Sequence, residues 1–336
     1  MRNFNLAAVI LFLFLFGANT SVISQEKSLT VTCQRNNQNG FDFNYKKTAE
    51  GSFFVIVKLN NVLNSLQTEF KHIVKASDYN GLLFSDNSTD KNSPISFSTY
   101  TTSYYRGIPN PKIDNSFVYA LPYKPGNAFT VKYLSNLNEV YFGNLSTKNF
   151  KTFEFSSRVC DTVCAIRKGI VVKIVDKYQM DTTIAKSYTS EVNSILIEQP
   201  DGTLASYTGF RSGSIFVKEG QTVLPNTPLG TLAFYDSKKM HSLRLQVYFL
   251  SDKNIGKNDD EPVTLKTIKH VYEFINPLFF ADKGVTKLDN NKSYKACFSE
   301  YILEHEMTKK KLKVIGKNSK APDDLPKNPS YGDILN

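Results

Sequence analysis

Tryptophan is absent from this 336-residue chain, and histidine, cysteine and methionine occur only four times each. The four histidines, His72, His241, His270 and His305, are scattered, so no clustered-histidine metal motif is present. No Ser-His-Asp arrangement, phosphate-cradling glycine loop or dinucleotide fingerprint can be read, which argues against those enzyme classes. Beyond the N-terminus no apolar run is long enough to cross a bilayer as a helix, which needs about 20 residues. The net charge is +10, but the lysines are spread out, with no arginine-rich block and no aromatic RNA-binding signature. A nucleic-acid partner is therefore not expected. A basic chain of this kind suits an anionic surface or polymer instead.

The chain does have phenylalanine (25) and tyrosine (18), with 41% apolar residues overall. That is enough to fill the cores of two ordinary domains. Many short alternating runs are separated by Gly, Pro and Asn turns, which predicts a mostly β protein. The N-terminus carries one cation, Arg2, then an apolar run to Gly17 and a Val22-Ile23-Ser24 cleavage pattern. This reads as a signal peptide over residues 1–24, with an uncleaved anchor helix as the alternative. The protein is expected to be exported to the periplasm, the cell surface or the medium, and to meet the membrane only through that peptide.

Residues 25–115 read as a β-rich module resembling a small sandwich. Ser52 to Leu59 is a near-continuous apolar run suited to a central strand, and Pro94 to Thr101 alternates. Residues 116–300 read as a second β domain, and 301–336 as a short helix followed by a flexible basic tail. Within the second domain, Lys151 to Ser156, Ile170 to Tyr178 and Ser194 to Gln199 are predicted strands. Asp201-Gly202 is a strong turn signal. Leu243, Leu245, Val247 and Phe249 alternate with Ser242, Arg244, Gln246 and Tyr248, which predicts a half-buried strand with one polar face. Pro277 marks an edge or irregular turn in the closing segment Tyr272 to Phe280. Cys160 and Cys164, spaced i, i+4 near a bend, leave three alternatives open: a disulfide, free buried thiols, or a metal site.

The order IRKGIVVKI, SILIEQPDGTLASY, VKEGQTVLPNTPLG, LRLQVYF, with ALPYKPG before it and INPLFF after it, resembles the catalytic core of the lysostaphin/LytM-type zinc endopeptidases, the duplicated hybrid motif family. The resemblance covers roughly Tyr141 to Phe280 and implies a lysostaphin-type β-sheet whose groove carries zinc and cuts peptidoglycan cross-bridges. Position by position, Phe150 falls at the first ligand histidine and Glu154 at the ligand aspartate. Gly209, in Tyr207-Thr208-Gly209, falls at a catalytic histidine, while Ser242 and Arg244 fall at the final His-x-His. Only a carboxylate is kept. A catalytic zinc needs three protein ligands and an open position, and a guanidinium has no lone pair to give. His241 lies one residue off the polar face, so period two turns it away. The resemblance therefore implies an inactive relative with no cofactor, whose groove residues Glu154, Tyr207, Gly209, Ser242 and Arg244 bind peptidoglycan or an envelope protein. Arg244 is expected to pair with Glu154. The alternatives are an active zinc endopeptidase with relocated ligands, and a structural or adhesion subunit of the envelope.

Overall fold

The computed structural model describes residues 28–88, 90, 92–134, 150–159, 162–179, 191–234, 240–255 and 271–297, together with Ile302 and Glu306. The expected signal peptide, the polar insertion at 181–190 and the C-terminal tail lie outside the described residues. So do most of the short C-terminal helix, Cys160, His270 and His305.

The first module is two three-stranded antiparallel sheets laid face to face. One contains β1 (Leu29–Arg35), β2 (Phe41–Lys47) and β5 (Asn80–Asp86). The other contains β3 (Phe53–Asn60), β4 (Glu69–Val74) and β6 (Thr99–Arg106), in the order β4-β3-β6. Alternation sends Phe53, Val55, Val57 and Leu59 of β3 into a core shared with Leu29, Phe43, Tyr45 and Phe70. The opposite face of β3 is not solvated: Phe54 and Ile56 pack on Leu250 of the second region. Burial on both faces explains why this strand reads as a continuous apolar run. Residues 94–98 are not part of a strand, contrary to the sequence expectation, and β6 begins at Thr99. Pro94 has no N–H for a ladder, and Ile95, fully buried, gives its carbonyl to Arg35 Nη1 at 2.7 Å. At the end of β2, Lys47 is almost fully buried, and its ammonium donates to the carbonyls of Gly51, Lys75 and Ala76, each at 2.9 Å. All three donors are satisfied, as a buried cation requires.

The second region is built on a long sheet. Its strands are β8 (Ala128–Leu134), β9 (Thr152–Ser157), β11 (Gly169–Val175), β12 (Asn193–Glu198), β13 (Leu204–Ile215), β14 (Thr222–Val223), β16 (His241–Leu250) and β20 (Lys292–Lys295). They run β14-β11-β12-β13-β16-β9-β8-β20, all neighbours antiparallel. β10 (Thr162–Cys164) and β15 (Pro228–Leu232) pair beside β13, and β17 (Tyr272–Phe274) continues the edge of β16 where β9 ends. A separate small sheet joins β7 (Val118–Ala120), β18 (Leu278–Ala281) and β19 (Gly284–Thr286). Pro277 falls in the break between β17 and β18, where no ladder bond is needed.

The turns follow the sequence signals. Gly202 takes φ +87°, and Asp201 accepts from Thr203 N and Oγ1 at 3.1 and 2.6 Å. Asp201 also accepts from Arg167 Nη1 at 2.5 Å. That arginine is buried against the Phe117 ring, 3.7 Å from its centroid, and its Nε lies 3.5 Å from Glu306. Burial, opposed by the Lys168 N–H bond and the arginine, raises the Glu306 pKa. The turn after β12 is thus tied to residues far away along the chain in both directions.

Candidate functional site

The polar face of the long sheet is set by register alone. Ser242, Arg244 and Gln246 of β16 lie opposite Ser156, Glu154 and, on the same face, Thr152 of β9. On the other side Arg244 and Gln246 lie opposite Thr208 and Ser206 of β13. Three rows result: Thr130–Ser156–Ser242, Lys132–Glu154–Arg244–Thr208–Ser194, and Thr152–Gln246–Ser206. They extend over about 13 Å along the strands. Hydroxyls and an amide tie them together: Ser156 Oγ lies 3.2 Å from Ser242 Oγ, and Gln246 Nε2 donates to Thr152 Oγ1 at 2.7 Å. Most of these side chains are half-buried, and Ser242 is buried. The next row, Leu204–Tyr248–Phe274, closes the face with apolar and aromatic groups.

The five aligned positions are only partly brought together. Glu154 and Arg244 are direct register partners, with Ser242 one row away. Glu154 and Arg244 do not form an ion pair, contrary to expectation; Ser156 Oγ donates to Glu154 Oε1, at 3.4 Å. Both side chains are half-buried, and strand register aligns their Cα atoms without dictating where their charged ends point. Phe150 lies four residues before Glu154 and packs on the Phe274 ring, with centroids 5.0 Å apart. Phe274 in turn packs on Tyr248, and Tyr248 on Tyr272. The position aligned with a ligand histidine is therefore part of an aromatic cluster.

Tyr207 is not in the groove. Because side chains alternate along β13, Ser206 and Thr208 face the groove and Tyr207 faces the core. It is completely buried, its hydroxyl accepts from Ile166 N at 3.0 Å, and burial pushes its phenol pKa up.

Gly209 departs furthest from the catalytic pattern. β12 and β13 slip register at the Asn193–Ser194 step, so that Phe210 pairs Asn193, Thr208 pairs Ser194, and Gly209 is the extra residue of a β-bulge. Its φ is +117°, a conformation that L side chains rarely adopt. A Cβ at Gly209 would stand 2.5 Å from the Ser242 carbonyl oxygen. The backbone occupies the space from which a side chain would project.

His241 follows the period-two expectation. It points to the face of Leu243, stacks on Phe234 with ring centroids 4.3 Å apart, and its Nδ1 has no hydrogen-bond partner among the described residues. Cys164 carries a free, fully buried thiol, raised by burial to about 11. The Cys160–Cys164 disulfide is therefore not formed here, and a protonated buried thiol is what the apolar surroundings of Cys164 favour. Among the described residues no three His, Cys, Asp or Glu side chains are placed to hold a metal ion. A lysostaphin-type zinc does not fit this donor set: Glu154 offers oxygen, Phe150 and Gly209 offer no side-chain donor, and Arg244 is a fixed cation.

The sequence reading missed the anchor of the groove's closed end. Glu198, at the end of β12, is buried and accepts from Ser52 N at 2.7 Å and Ser52 Oγ at 2.5 Å. Gly51, at φ +90°, lets the strand approach: a Cβ there would meet Glu198 Oε2 at 2.8 Å and Val172 Cγ1 at 2.7 Å. Asn110 N donates to the Leu250 carbonyl at 2.8 Å, and Tyr272 OH to the Arg106 carbonyl at 3.1 Å. The first module and its exit strand are thereby fixed against the Leu204–Tyr248 end of the polar face.

No family model matches the sequence, and no curated protein matches it. Solved structures it is similar to include a zinc-containing peptidase from Vibrio cholerae, at 12% identity, covering 66% of this chain and 75% of that one, with a TM-score of 0.23. Csd3 from Helicobacter pylori is matched in two crystal forms. The orthorhombic form gives 8% identity, 88% and 79% coverage and a TM-score of 0.27. The hexagonal form gives 10% identity, 87% and 83% coverage and a TM-score of 0.26. TM-scores of this size carry no argument about the site.

Proposed function

We propose that this chain is an exported, catalytically inactive relative of the lysostaphin/LytM-type zinc endopeptidases that acts as a binding or regulatory protein of the cell envelope. The observation that carries this reading is Gly209. Its left-handed bulge, closed over by the Ser242 carbonyl, leaves no room for the imidazole that would act on the water and the transition state. Arg244, the strand partner of Glu154, supports the same reading, because a permanent cation at a ligand position repels a divalent metal. What remains is a half-buried polar face able to donate and accept hydrogen bonds along an extended ligand. The net charge of +10 suits an anionic wall polymer.

The test is co-sedimentation of the mature chain with purified peptidoglycan sacculi, assayed in parallel for released muropeptides with and without added zinc. The expected result is retention on the sacculi with no release above background in either condition. Zinc-dependent release abolished by a chelator would overturn the reading. Failure to bind sacculi, with no release, would point to an envelope protein as the ligand.

A further inference from the structure

The connection between β2 and β3 is where the first module meets the second region, and charged side chains from three elements grip its backbone. Arg106, the last residue of β6, donates through Nη1 to the Glu50 carbonyl at 2.5 Å. Lys47, the last residue of β2, donates to the Gly51 carbonyl at 2.9 Å. Glu198, the last residue of β12, accepts from Ser52 N at 2.7 Å. The Gly51 carbonyl and the Ser52 N–H belong to one planar peptide unit and point in opposite directions. Lys47 and Glu198 therefore hold the two ends of a single peptide bond, one from inside the first module and one from the second region. Gly51 takes φ +90°, so the turn that presents this peptide depends on a left-handed residue.

The Lys47 ammonium sits in a cage. Its other two bonds go to the Lys75 and Ala76 carbonyls, just beyond the end of β4, each at 2.9 Å, and the Tyr79 ring centroid is 4.8 Å away. Tyr79 is itself fixed: its carbonyl accepts from Lys47 N at 2.7 Å, and its hydroxyl donates to Glu50 Oε2 at 2.8 Å. Three carbonyl oxygens and a ring face are the surroundings of a desolvated monovalent cation. Lys47 is only 3% exposed, so the protein itself closes the cage. Among the described residues Lys47 forms no ion pair with Glu50, Glu198 or Asp78, the acidic groups whose field acts on it. Its direct hold on the junction is through the carbonyls.

We propose that Lys47 is a positioning residue of the module junction, a tethered cation that aims the Gly51–Ser52 peptide at Glu198, and that a free primary ammonium ion fits the cage when the side chain is cut away. The ligand class follows from the cage. Its carbonyl oxygens only accept, so a cation with N–H donors satisfies them and an anion does not. A neutral molecule of the same size fills the space without supplying the charge. With Lys47 removed and nothing in its place, the Gly51 carbonyl loses this donor and the peptide is free to turn. The Ser52–Glu198 bond is then weakened by a side chain that does not take part in it. The inference holds whatever ligand the groove takes.

The test is hydrogen exchange of the Ser52 amide in the mature chain, read by NMR beside limited proteolysis between residues 106 and 111. Lys47→Ala is expected to speed Ser52 exchange at least tenfold, about 1.4 kcal/mol, and to speed cleavage. Propylammonium chloride, which restores the atoms removed, should return both toward the parent in a saturable way. Propanol, similar in size but uncharged, and tetramethylammonium chloride, charged but without N–H groups, should not. Should Lys47→Ala fail to fold, Lys47→Met, which fills the space without a donor, takes its place. Ser52 exchange should rise at least tenfold there too, and propylammonium should not slow it. Unchanged Ser52 exchange in whichever variant folds, no recovery of Lys47→Ala with propylammonium, or equal recovery with propanol or tetramethylammonium would overturn the proposal.

Discussion

Replacing Gly209 with histidine is expected to lower the melting temperature by on the order of 10 °C and to create no zinc site. The left-handed backbone alone costs a non-glycine residue about 1–3 kcal/mol. The new Cβ would stand 2.5 Å from a main-chain oxygen, Ser242 O, which lies within β16 and cannot swing aside as a flexible side chain could. A total of about 3–4 kcal/mol is expected, among the larger single-residue effects. At about 2–4 °C per kcal/mol for a domain of this size, that gives the stated drop. Ser242→His, one row from Arg244 on the polar face, lacks the backbone conflict and should be milder. A Gly209→His variant that melts with the parent would show that the bulge is not what closes the site. The measurement is thermal unfolding followed by circular dichroism.

Glu198→Ala is expected to release the first module from the second region. The carboxylate is buried, and both of its oxygens are used by Ser52. Removing it leaves a buried N–H and a buried hydroxyl without acceptors and takes away the negative charge that offsets the desolvation of Arg106. Each buried donor left without an acceptor costs about 1–3 kcal/mol. Because the loss falls at the junction, faster cleavage between residues 106 and 111 in limited proteolysis should accompany a larger radius in solution scattering. Glu198→Gln keeps one acceptor oxygen and should lie between. Unchanged proteolysis and scattering for Glu198→Ala would mean that the apolar contacts of Phe54, Ile56 and Leu250 suffice alone.

Much of the fold can be read from local pattern. The alternation over Ser242 to Phe249 yields β16 with its polar and apolar faces, because period two is a property of the backbone itself. The run Ser52 to Leu59 marks β3, and Asp201-Gly202 marks the turn after β12. Pattern copied from a family misleads at Tyr207: its neighbours Ser206 and Thr208 hold the groove face, so the same alternation sends the tyrosine into the core. Glu154 and Arg244 do meet as strand partners, yet their charges stay apart, because register fixes Cα positions and not rotamers. The Gly209 bulge is legible as a missing imidazole but not as a closed-over backbone, since the slip depends on how β12 pairs. Nothing local announces Glu198, whose partner Ser52 is 146 residues away in sequence and lies in another module.

The most direct test of an inactive groove is zinc stoichiometry in the purified mature chain, loaded with excess zinc, freed of unbound metal and measured by elemental analysis. The polar face as built, with Glu154 its one carboxylate and Arg244 opposite, predicts far less than one zinc per chain, unchanged in Glu154→Ala. One tightly held zinc per chain, lost in Glu154→Ala, would contradict it.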